Sequence, residues 1–267
     1  MIDAVLFDLG DTIIDFGVGR REAEVLFREG AKLTYDYLHN HRHPHLPTFK
    51  RYFAVHYRIM RRAWIWSKIS RRDFSYQVVL AKAARQLRLE LTDVDIHHLA
   101  QLWYQPISRA STTDAGVRHM LEELRQAGTK LGIVSNTFVP PHCLDQHLAE
   151  EGLLEYFPVR VYSSQVRYRK PHPRIFEIAL AQIGTPASRT LFIGDLLTCD
   201  IAGAKRAGMH TIWKPARKLM ESGTQPEPRR HIPDFIIPKV THLPQALHRF
   251  GWQPAVHTSR SRHHAKA

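Results

Sequence analysis

Short apolar runs and helix-like apolar stripes alternate along most of this chain. From residue 114 onward, segments with apolar side chains every three or four positions separate the short runs. Strands that alternate with helices indicate a parallel sheet covered on both faces. We therefore predict an α/β fold with a doubly wound parallel sheet. The runs that fit its strands lie at residues 5–7, 131–134, 159–162, 190–193, 211–213 and 234–237.

The strand pattern is absent from residues 15–112, where apolar side chains follow helical spacing instead. Phe49, Phe53 and Tyr57, for example, fall on one helical stripe, which we interpret as the core of this segment. Its length suits about four helices. We therefore predict an α/β core made of residues 1–14 and 113–250, interrupted by a small all-helical domain at residues 15–112.

The chain is strongly basic, with 38 Lys and Arg against 25 Asp and Glu and a formal net charge of +13. The helical segment holds 17 of the basic and 9 of the acidic residues, so it carries most of the excess. Residues 251–267 form a polar, basic tail that we predict to be disordered. A nucleic-acid partner is not expected, because no recognisable binding module accompanies the charge.

The short length of the hydrophobic runs and the small number of cysteines favour a cytoplasmic location. No apolar run approaches the roughly 20 residues that a membrane span needs, so no membrane partner is expected. The first strand follows Met1 without an apolar signal segment before it. The cysteines, Cys143 and Cys199, are too few for a disulfide framework, which fits a reducing compartment. The oligomeric state stays open.

Charged and hydroxyl side chains collect where the predicted strands end. Asp8 follows the first strand, Ser135 follows the second, and Lys170 precedes a proline that can start a helix. Asp195 ends a later strand, with Asp200 five residues beyond it. In a parallel sheet, ligands bind at the carboxyl ends of the strands. A carboxylate nucleophile, a hydroxyl, a cation and a carboxylate metal site are the parts of a phosphoryl-transfer centre.

In this order and spacing, the four segments resemble the four motifs of the haloacid dehalogenase (HAD) superfamily. The resemblance extends from about residue 2 to about residue 247. It implies a Rossmann-like core and a helical cap, formed by residues 15–112, that closes over the site and selects the substrate. It also implies an Mg²⁺-dependent phosphatase that hydrolyses a small phosphorylated metabolite through an aspartyl-phosphate intermediate.

The resemblance gives each strand-end group a role. Asp8 matches the nucleophile, and Lys170 matches the catalytic cation that steadies the phosphate and the nucleophile. The phosphate-binding residues that it implies are Ser135, Asn136 and Lys170. The implied metal ligands are Asp8, the backbone carbonyl of Gly10, Asp195 and Asp200. In the family, the acid at the position of Asp200 usually holds a water on the metal or the lysine.

One position departs from the pattern of the family's phosphatases, which usually read Asp-x-Asp-Gly-Thr. Gly10 stands where the second acid protonates the leaving group and later activates water, and an acid follows at Asp11. General acid–base catalysis is worth roughly 10²–10⁴-fold, so both half-reactions are affected. Either Asp11 takes over this catalytic role, or water or substrate supplies the proton, or the protein is a poor catalyst. Asp11 also suits a turn.

Other functions share the same motifs. A haloacid dehalogenase uses the nucleophile without a metal, but Asp195 would then repel Asp8. A phosphomutase normally needs the acid that Gly10 replaces. A degenerate phosphate-binding or scaffold protein agrees with Gly10, although the other motif residues are all present. The candidates for substrate contacts in the helical segment are Arg58, Arg61, Arg62, Arg71 and Arg72.

Overall fold

The computed structural model describes residues 1–17, 20–41, 43, 45–217, 219 and 231–253. Most of the predicted basic tail, from residue 254 onward, lies outside the described residues. The start of that tail belongs to the folded core, because the Trp252 side chain is buried and its Nε1 donates a hydrogen bond to Thr129 Oγ1 at 2.8 Å.

A six-stranded parallel sheet forms the centre of the molecule, which confirms the predicted fold class. In chain order the strands are β1 (Ala4–Phe7), β2 (Ile14–Asp15), β3 (Thr112–Thr113), β4 (Lys130–Ser135), β5 (Val159–Tyr162), β6 (Thr190–Gly194), β7 (His210–Trp213) and β8 (Phe235–Ile236). The sheet order is β5-β4-β1-β6-β7-β8, and every pairing within it is parallel. Strands β2 and β3 pair separately and antiparallel.

The first four helices follow one another between β2 and β3, and the others connect or flank the strands of the sheet. They are α1 (Arg20–His41), α2 (Phe49–Ser70), α3 (Tyr76–Leu87), α4 (Asp93–Ala110), α5 (Val117–Gln126), α6 (Pro141–Glu150), α7 (Ser163–Val166), α8 (Pro173–Ile183), α9 (Ala202–Arg206) and α10 (Leu243–Leu247). Among the described residues, every helix is too short or too polar to span a lipid bilayer.

The register of the central strands brings their carboxyl ends to one place. Phe7, the last residue of β1, pairs with Ile133 of β4 on one side and with Ile193 of β6 on the other. Beyond Phe7, the backbone N–H of Asp8 still donates to the carbonyl of Ile193 at 2.9 Å. Every residue of β1 and β6 is buried, as expected of inner strands covered on both faces. The groups that follow these strands are therefore held by the most buried part of the sheet.

Aromatic side chains form the core of the helical insertion, α1–α4. Phe27 of α1 lies edge to face with Trp103 of α4, at a centroid distance of 5.8 Å, and Trp103 stacks on Tyr76 at 3.8 Å. Phe53 and Tyr57 of the predicted aromatic stripe pack against Phe27, at 6.0 and 6.1 Å. Edge-to-face and offset contacts at such distances add to the gain from burial.

A buried acid in the α2–α3 connection joins the insertion to the sheet. The Asp73 carboxylate accepts a hydrogen bond from Ser163 Oγ at 2.8 Å, and this hydroxyl oxygen accepts one from the backbone N–H of Thr137, also at 2.8 Å. Arg169 lies 3.5 Å from the same carboxylate. Thr137 stands in the loop that leaves β4, so the insertion contacts the loop that follows a strand end of the site.

A glycine permits the close packing of α1 on α4. A Cβ added at Gly30 would lie 2.3 Å from the carbonyl oxygen of Trp103. An alanine in a helix interior normally stabilises by about 1 kcal/mol relative to glycine. Here we expect Gly30→Ala to lower the free energy of unfolding by about 1–3 kcal/mol, because the helices must move apart.

Urea denaturation measures this effect, with Glu29→Ala as the control on the exposed face of the same helix. The control should stay within about 0.5 kcal/mol of the parent protein. A Gly30→Ala protein as stable as the parent would contradict the packing described for α1 and α4.

Candidate active site

Three strand ends bring the predicted site residues together. Asp8 follows β1, Ser135 ends β4 and Asp195 follows β6, and all three line one cavity. The two strands beside β1 are its direct partners in the sheet, so their ends adjoin Asp8. Asp8 and Ser135 are buried, and Asp195 is half-buried. The candidate residues predicted from separate segments thus share one site.

A buried lysine lies between two carboxylates at the floor of this cavity. The Lys170 Nζ is 2.6 Å from Asp8 Oδ1 and 2.7 Å from Asp200 Oδ1. The side chains of Lys170 and Asp200 are each 1% exposed. The ammonium donates a charge-assisted hydrogen bond to Asp8 and forms an ion pair with Asp200. Lys170 therefore fixes the position of Asp8 relative to Asp200.

Asn136 holds the backbone of Lys170 from the next loop. Its Nδ2 donates to the Lys170 carbonyl at 2.9 Å, and its Oδ1 accepts from the Lys170 N–H at 2.7 Å. This paired contact uses the carboxamide oxygen and one amide hydrogen. The side chain that the family resemblance assigns to phosphate binding is thus engaged in positioning the lysine.

A glycine makes room for Asp200 beside the strand end. A Cβ added at Gly194 would lie 2.5 Å from the carboxyl carbon of Asp200. The Asp200 Oδ2 accepts a hydrogen bond from the Leu196 N–H at 2.9 Å, so the short turn after β6 binds the acid that faces Lys170. The Gly-Asp sequence at this strand end is therefore needed for packing as well as for charge.

The acids carry more negative charge than one lysine neutralises. Burial raises the pKa of Asp8 to about 6, with Asp200 adding to the rise and Lys170 opposing it. Burial, followed by the carboxylates of Asp8 and Asp200, raises the pKa of Asp195 to about 9. Burial alone would lower the pKa of Lys170, but Asp200 and Asp8 raise it overall. A further cation would relieve the repulsion among the acids.

The cluster suits a hard divalent cation. Ligand oxygens of Asp8, Asp195 and Asp200 all lie within 4.8 Å of one another. Carboxylate and carbonyl oxygens are the donors that Mg²⁺ and similar ions prefer. Three ionised carboxylates against one ammonium leave a deficit that a doubly charged ion matches. The residues therefore fit the metal that the resemblance implies.

Gly10 and Asp11 lie in the turn after β1, and both line the cavity. A Cβ added at Gly10 would meet the Phe16 ring at 3.2 Å, so this ring lies where a side chain of residue 10 would begin. Asp11 has a φ of +54°, in the left-handed region, and its N–H donates to the Ile14 carbonyl at 2.7 Å. Asp11 therefore has the turn conformation that its residue type favours, while its carboxylate lines the site.

Phe16 lines the cavity and Lys214 contacts the turn beside it, and neither is among the site residues predicted from the sequence. Lys214 follows β7, and its Nζ donates to the Asp11 carbonyl at 2.5 Å. Its place directly after a predicted strand is a signal that could have indicated it. Phe16 follows the short strand β2, and no sequence pattern distinguishes it from a core residue.

The arginine cluster lies elsewhere. Within the described part of the chain, the predicted substrate-contact arginines all lie outside the lining of the cavity that contains Asp8. These are Arg58, Arg61, Arg62, Arg71 and Arg72. Arg62 and Arg72 line a groove of about 900 Å³ between the insertion and the core. The positive charge of α2 is thus separate from the catalytic cavity.

A parallel α/β sheet with carboxylates and a buried lysine at its strand ends agrees with the site that the motif resemblance implies. The sequence profile of the haloacid dehalogenase-like hydrolases matches residues 2–208. The chain belongs to this family, as the motif resemblance predicts.

Several similar proteins are named as nucleotidases or phosphatases. Pyrimidine 5'-nucleotidase YjjG of Escherichia coli (strain K12) is 31% identical over 160 residues, 59% of this chain and 67% of that protein. Pyrimidine 5'-nucleotidase PynA of Streptococcus pneumoniae is 28% identical and covers 85% of this chain and 90% of its own. Glyceraldehyde 3-phosphate phosphatase of Pyrococcus furiosus is 25% identical, over 97% and 98% of the two chains.

Solved structures share the fold over nearly the whole chain. A HAD phosphatase from Thermococcus onnurineus superposes with a TM-score of 0.61 at 21% identity, covering 95% of this chain and all of its own. A 2-haloacid dehalogenase from Pseudomonas syringae pv. Tomato superposes with a TM-score of 0.63 at 23% identity, covering 94% of this chain and 100% of its own. These similarities establish the arrangement of the helices and strands, and they do not identify the reaction.

The charge cluster generates a prediction about stability in chelator. Asp195 has a pKa of about 9 in the folded protein, against 3.8 ordinarily. Between these values the folded state keeps a proton that the unfolded chain has lost, so the free energy of unfolding falls as pH rises, by at most ~1.4 kcal/mol per pH unit. We expect Asp195→Asn to flatten this fall and to stabilise the metal-free protein near pH 8.

Urea titrations above about pH 7 isolate this effect, because the lower pKa of Asp8 places its own titration mostly below that range. Asp3→Asn, outside the cluster, should keep the slope of the parent protein. An unchanged slope in Asp195→Asn would show that repulsion at Asp195 does not control the stability of the metal-free fold.

Proposed function

We propose that the chain is an Mg²⁺-dependent phosphatase that hydrolyses a small phosphate monoester through an aspartyl-phosphate at Asp8. The observation that carries this proposal is the Asp8–Lys170–Asp200 arrangement with Asp195 beside it, at ion-pair distances of 2.6 and 2.7 Å. Relatives named as nucleotidases and as a sugar-phosphate phosphatase support the same class of reaction.

Asp8 performs the covalent chemistry. Its carboxylate oxygen attacks phosphorus, and the bond from phosphorus to the ester oxygen breaks, with the electron pair leaving on that oxygen. A proton from solvent or from Asp11 completes the alcohol. Water then attacks the phosphorus of the aspartyl-phosphate, the bond to Asp8 breaks, and phosphate and the free carboxylate result. The Lys170 ammonium favours the ionised nucleophile and stabilises charge on the phosphoryl oxygens.

The remaining residues position these groups. Ser135 donates its hydroxyl to the phosphate from the end of β4, and Asn136 keeps Lys170 in place through the backbone contacts at 2.7 and 2.9 Å. The metal would be held by Asp8, Asp195, Asp200 and the Gly10 carbonyl. When bound, it supplies positive charge that neutralises the phosphate dianion and the carboxylates.

Residues 15–112, which contain α1–α4, act as the cap in this proposal. The antiparallel pair β2–β3 joins both ends of the insertion to the core. Phe27, Trp103 and Tyr104 of the insertion line the cavity that contains Asp8, so the insertion supplies the wall opposite the chemistry. It therefore selects the substrate while the strand ends carry out the reaction.

A metal-free dehalogenase is the main alternative, since structures named as dehalogenases share the fold. The charge cluster argues against it, because burial, together with the carboxylates of Asp8 and Asp200, raises the pKa of Asp195 to about 9, and a bound divalent cation would offset this rise. A catalytically degenerate binding protein would keep the same cluster and lack turnover, and the experiment below separates it from an enzyme.

Phosphate release should require both the metal and Asp8. Acetyl phosphate, a small activated acyl phosphate, should release phosphate rapidly in Mg²⁺ and only at its uncatalysed rate in excess chelator. Asp8→Asn should lower turnover by at least about 10⁴-fold, because it removes the nucleophile. Asp3→Asn, on the residue before β1, is the control and should retain full turnover, because its ion pair with Arg189 lies at the surface.

Mass spectrometry of the quenched reaction should find the phosphoryl group on the peptide that contains Asp8. Full turnover in chelator or in Asp8→Asn would exclude the mechanism. Mg²⁺ binding without turnover of any phosphate ester would identify a degenerate binder.

The vacant position at Gly10 should limit turnover of esters with poor leaving groups. Gly10→Asp should hydrolyse alkyl phosphates at least about 10-fold faster than Gly10→Asn, because only the acid can protonate the leaving oxygen. The two variants are nearly isosteric and press equally on Phe16, so the comparison cancels the effect of the close contact at 3.2 Å.

Asp11→Asn tests the neighbouring acid, since Asn tolerates the left-handed turn as Asp does. We expect a loss below about 3-fold on alkyl esters, small beside the 10²–10⁴-fold worth of a general acid. A loss of that larger size, with metal binding preserved, would show that Asp11 has taken over the role.

A further inference from the structure

The cavity above Asp8 has a charged floor and apolar walls. Its volume is about 430 Å³. Phe27 of α1 and Phe138 of the loop after β4 form one wall, and the fully buried ring of Trp103 packs against both, with centroid distances of 5.8 Å. Leu26 and Ile107 continue the apolar surface on α1 and α4. An aromatic ring of a substrate would therefore make aromatic and aliphatic contacts on the insertion side.

Some hydrogen-bonding groups of the walls are already engaged, although the Trp103 Nε1–H is buried without a partner in the part of the chain that the structure describes. The Tyr104 hydroxyl pairs with His147 Nδ1 at 2.9 Å, and Thr137 Oγ1 accepts from the Val139 N–H at 3.0 Å. Among the described residues that line the cavity, the charged side chains are Asp8, Asp11, Lys170, Asp195 and Asp200, all at the floor or in the turn beside it. A second anionic group on the leaving group would lose water there without gaining a cation other than Lys170 from the described lining residues.

The same walls disfavour negative charge on the ester oxygen as it leaves. In the proposed function, Asp8 is the nucleophile, and Asp8, Asp195 and Asp200 bind the metal. The ring of Phe16 lies 3.2 Å from the point where a side chain of residue 10 would begin. A localised alkoxide against such a surface is costly, whereas an aromatic ring delocalises the charge of its own oxygen.

We infer that the substrate is a phosphate monoester of a phenol, with phosphate at the carboxylate floor and the ring against Phe27 and Phe138. This inference rests on the proposed phosphatase function and adds the class of the leaving group. In the first step, Asp8 forms its bond to phosphorus while the bond from phosphorus to the aryl oxygen breaks. The aryloxide carries the electron pair away and then takes a proton from solvent.

A series of matched esters separates two contributions to kcat/KM, which are recognition of the aromatic ring and the leaving-group ability of the ester oxygen. Phenyl phosphate has an aromatic ring and a good leaving group, benzyl phosphate has the ring on an alkyl oxygen, and ribose 5-phosphate has neither. We expect kcat/KM to fall in that order, with phenyl phosphate at least about 100-fold above ribose 5-phosphate. Acetyl phosphate reports whether the phosphatase reaction itself proceeds.

Phosphonates measure binding without any leaving group. Phenylphosphonate should inhibit about 30-fold more tightly than methylphosphonate, because only the former buries a ring against the wall. Leu26→Ser should reduce this ratio at least about 5-fold, and Ile107→Ser on the other helix should act in the same direction. Val25→Ser is the control, since Val25 is 55% exposed beside Leu26 and does not line the cavity.

The outcomes distinguish this inference from the function on which it rests. Failure to release phosphate from acetyl phosphate would overturn the phosphatase proposal and the inference with it. Turnover of acetyl phosphate together with a kcat/KM for ribose 5-phosphate or uridine 5'-phosphate at or above that for phenyl phosphate would overturn only the aromatic substrate class. Equal inhibition by the two phosphonates would likewise exclude a ring-binding wall.

Discussion

The ion pairs of Lys170 with Asp8 and Asp200 are the interaction on which the candidate site depends. Removing the lysine would leave two buried carboxylates without a counter-charge, a change that typically costs several kcal/mol. The pairs also hold the nucleophile in place, because both distances are short, at 2.6 and 2.7 Å. The same side chain therefore makes the burial of Asp8 tolerable and sets its direction.

The fold supports this lysine from three directions. Asn136 binds its backbone from the end of β4, the turn after β6 presents Asp200, and β1 presents Asp8. Gly194 has no side chain to displace the Asp200 carboxylate. Because Asp8 and Asn136 directly follow buried parallel strands, and Asp200 lies in the turn that follows β6, the geometry of the sheet largely determines the geometry of the charges.

Sequence alone could predict the parts of the site that strand order controls. Asp8 and Asp195 follow apolar runs in a parallel α/β pattern, so their convergence follows from topology. The use of the Asn136 side chain, in contrast, depends on the path of a loop from another segment, which no local pattern encodes. Lys214 directly follows a predicted strand and could have been indicated by that place, whereas the position of Phe16 follows from tertiary packing. Trp252 belongs to the core for the same reason, since its partner Thr129 is distant in the chain.

The insertion and the core contribute to one surface, and this has a consequence for specificity. Phe138 comes from the core loop after β4, while Phe27 and Trp103 come from the insertion, so the aromatic wall spans both parts of the chain. Phe138 is itself tied to the insertion, because its carbonyl accepts the Tyr76 N–H at 2.8 Å. Nearby, the Asp73–Ser163–Thr137 contacts bind the α2–α3 connection to the same loop. A relative displacement of the insertion would therefore separate the wall from the carboxylate floor and disturb the loop that holds Lys170. In the proposed enzyme, substrate selection and alignment of the nucleophile are coupled through this loop.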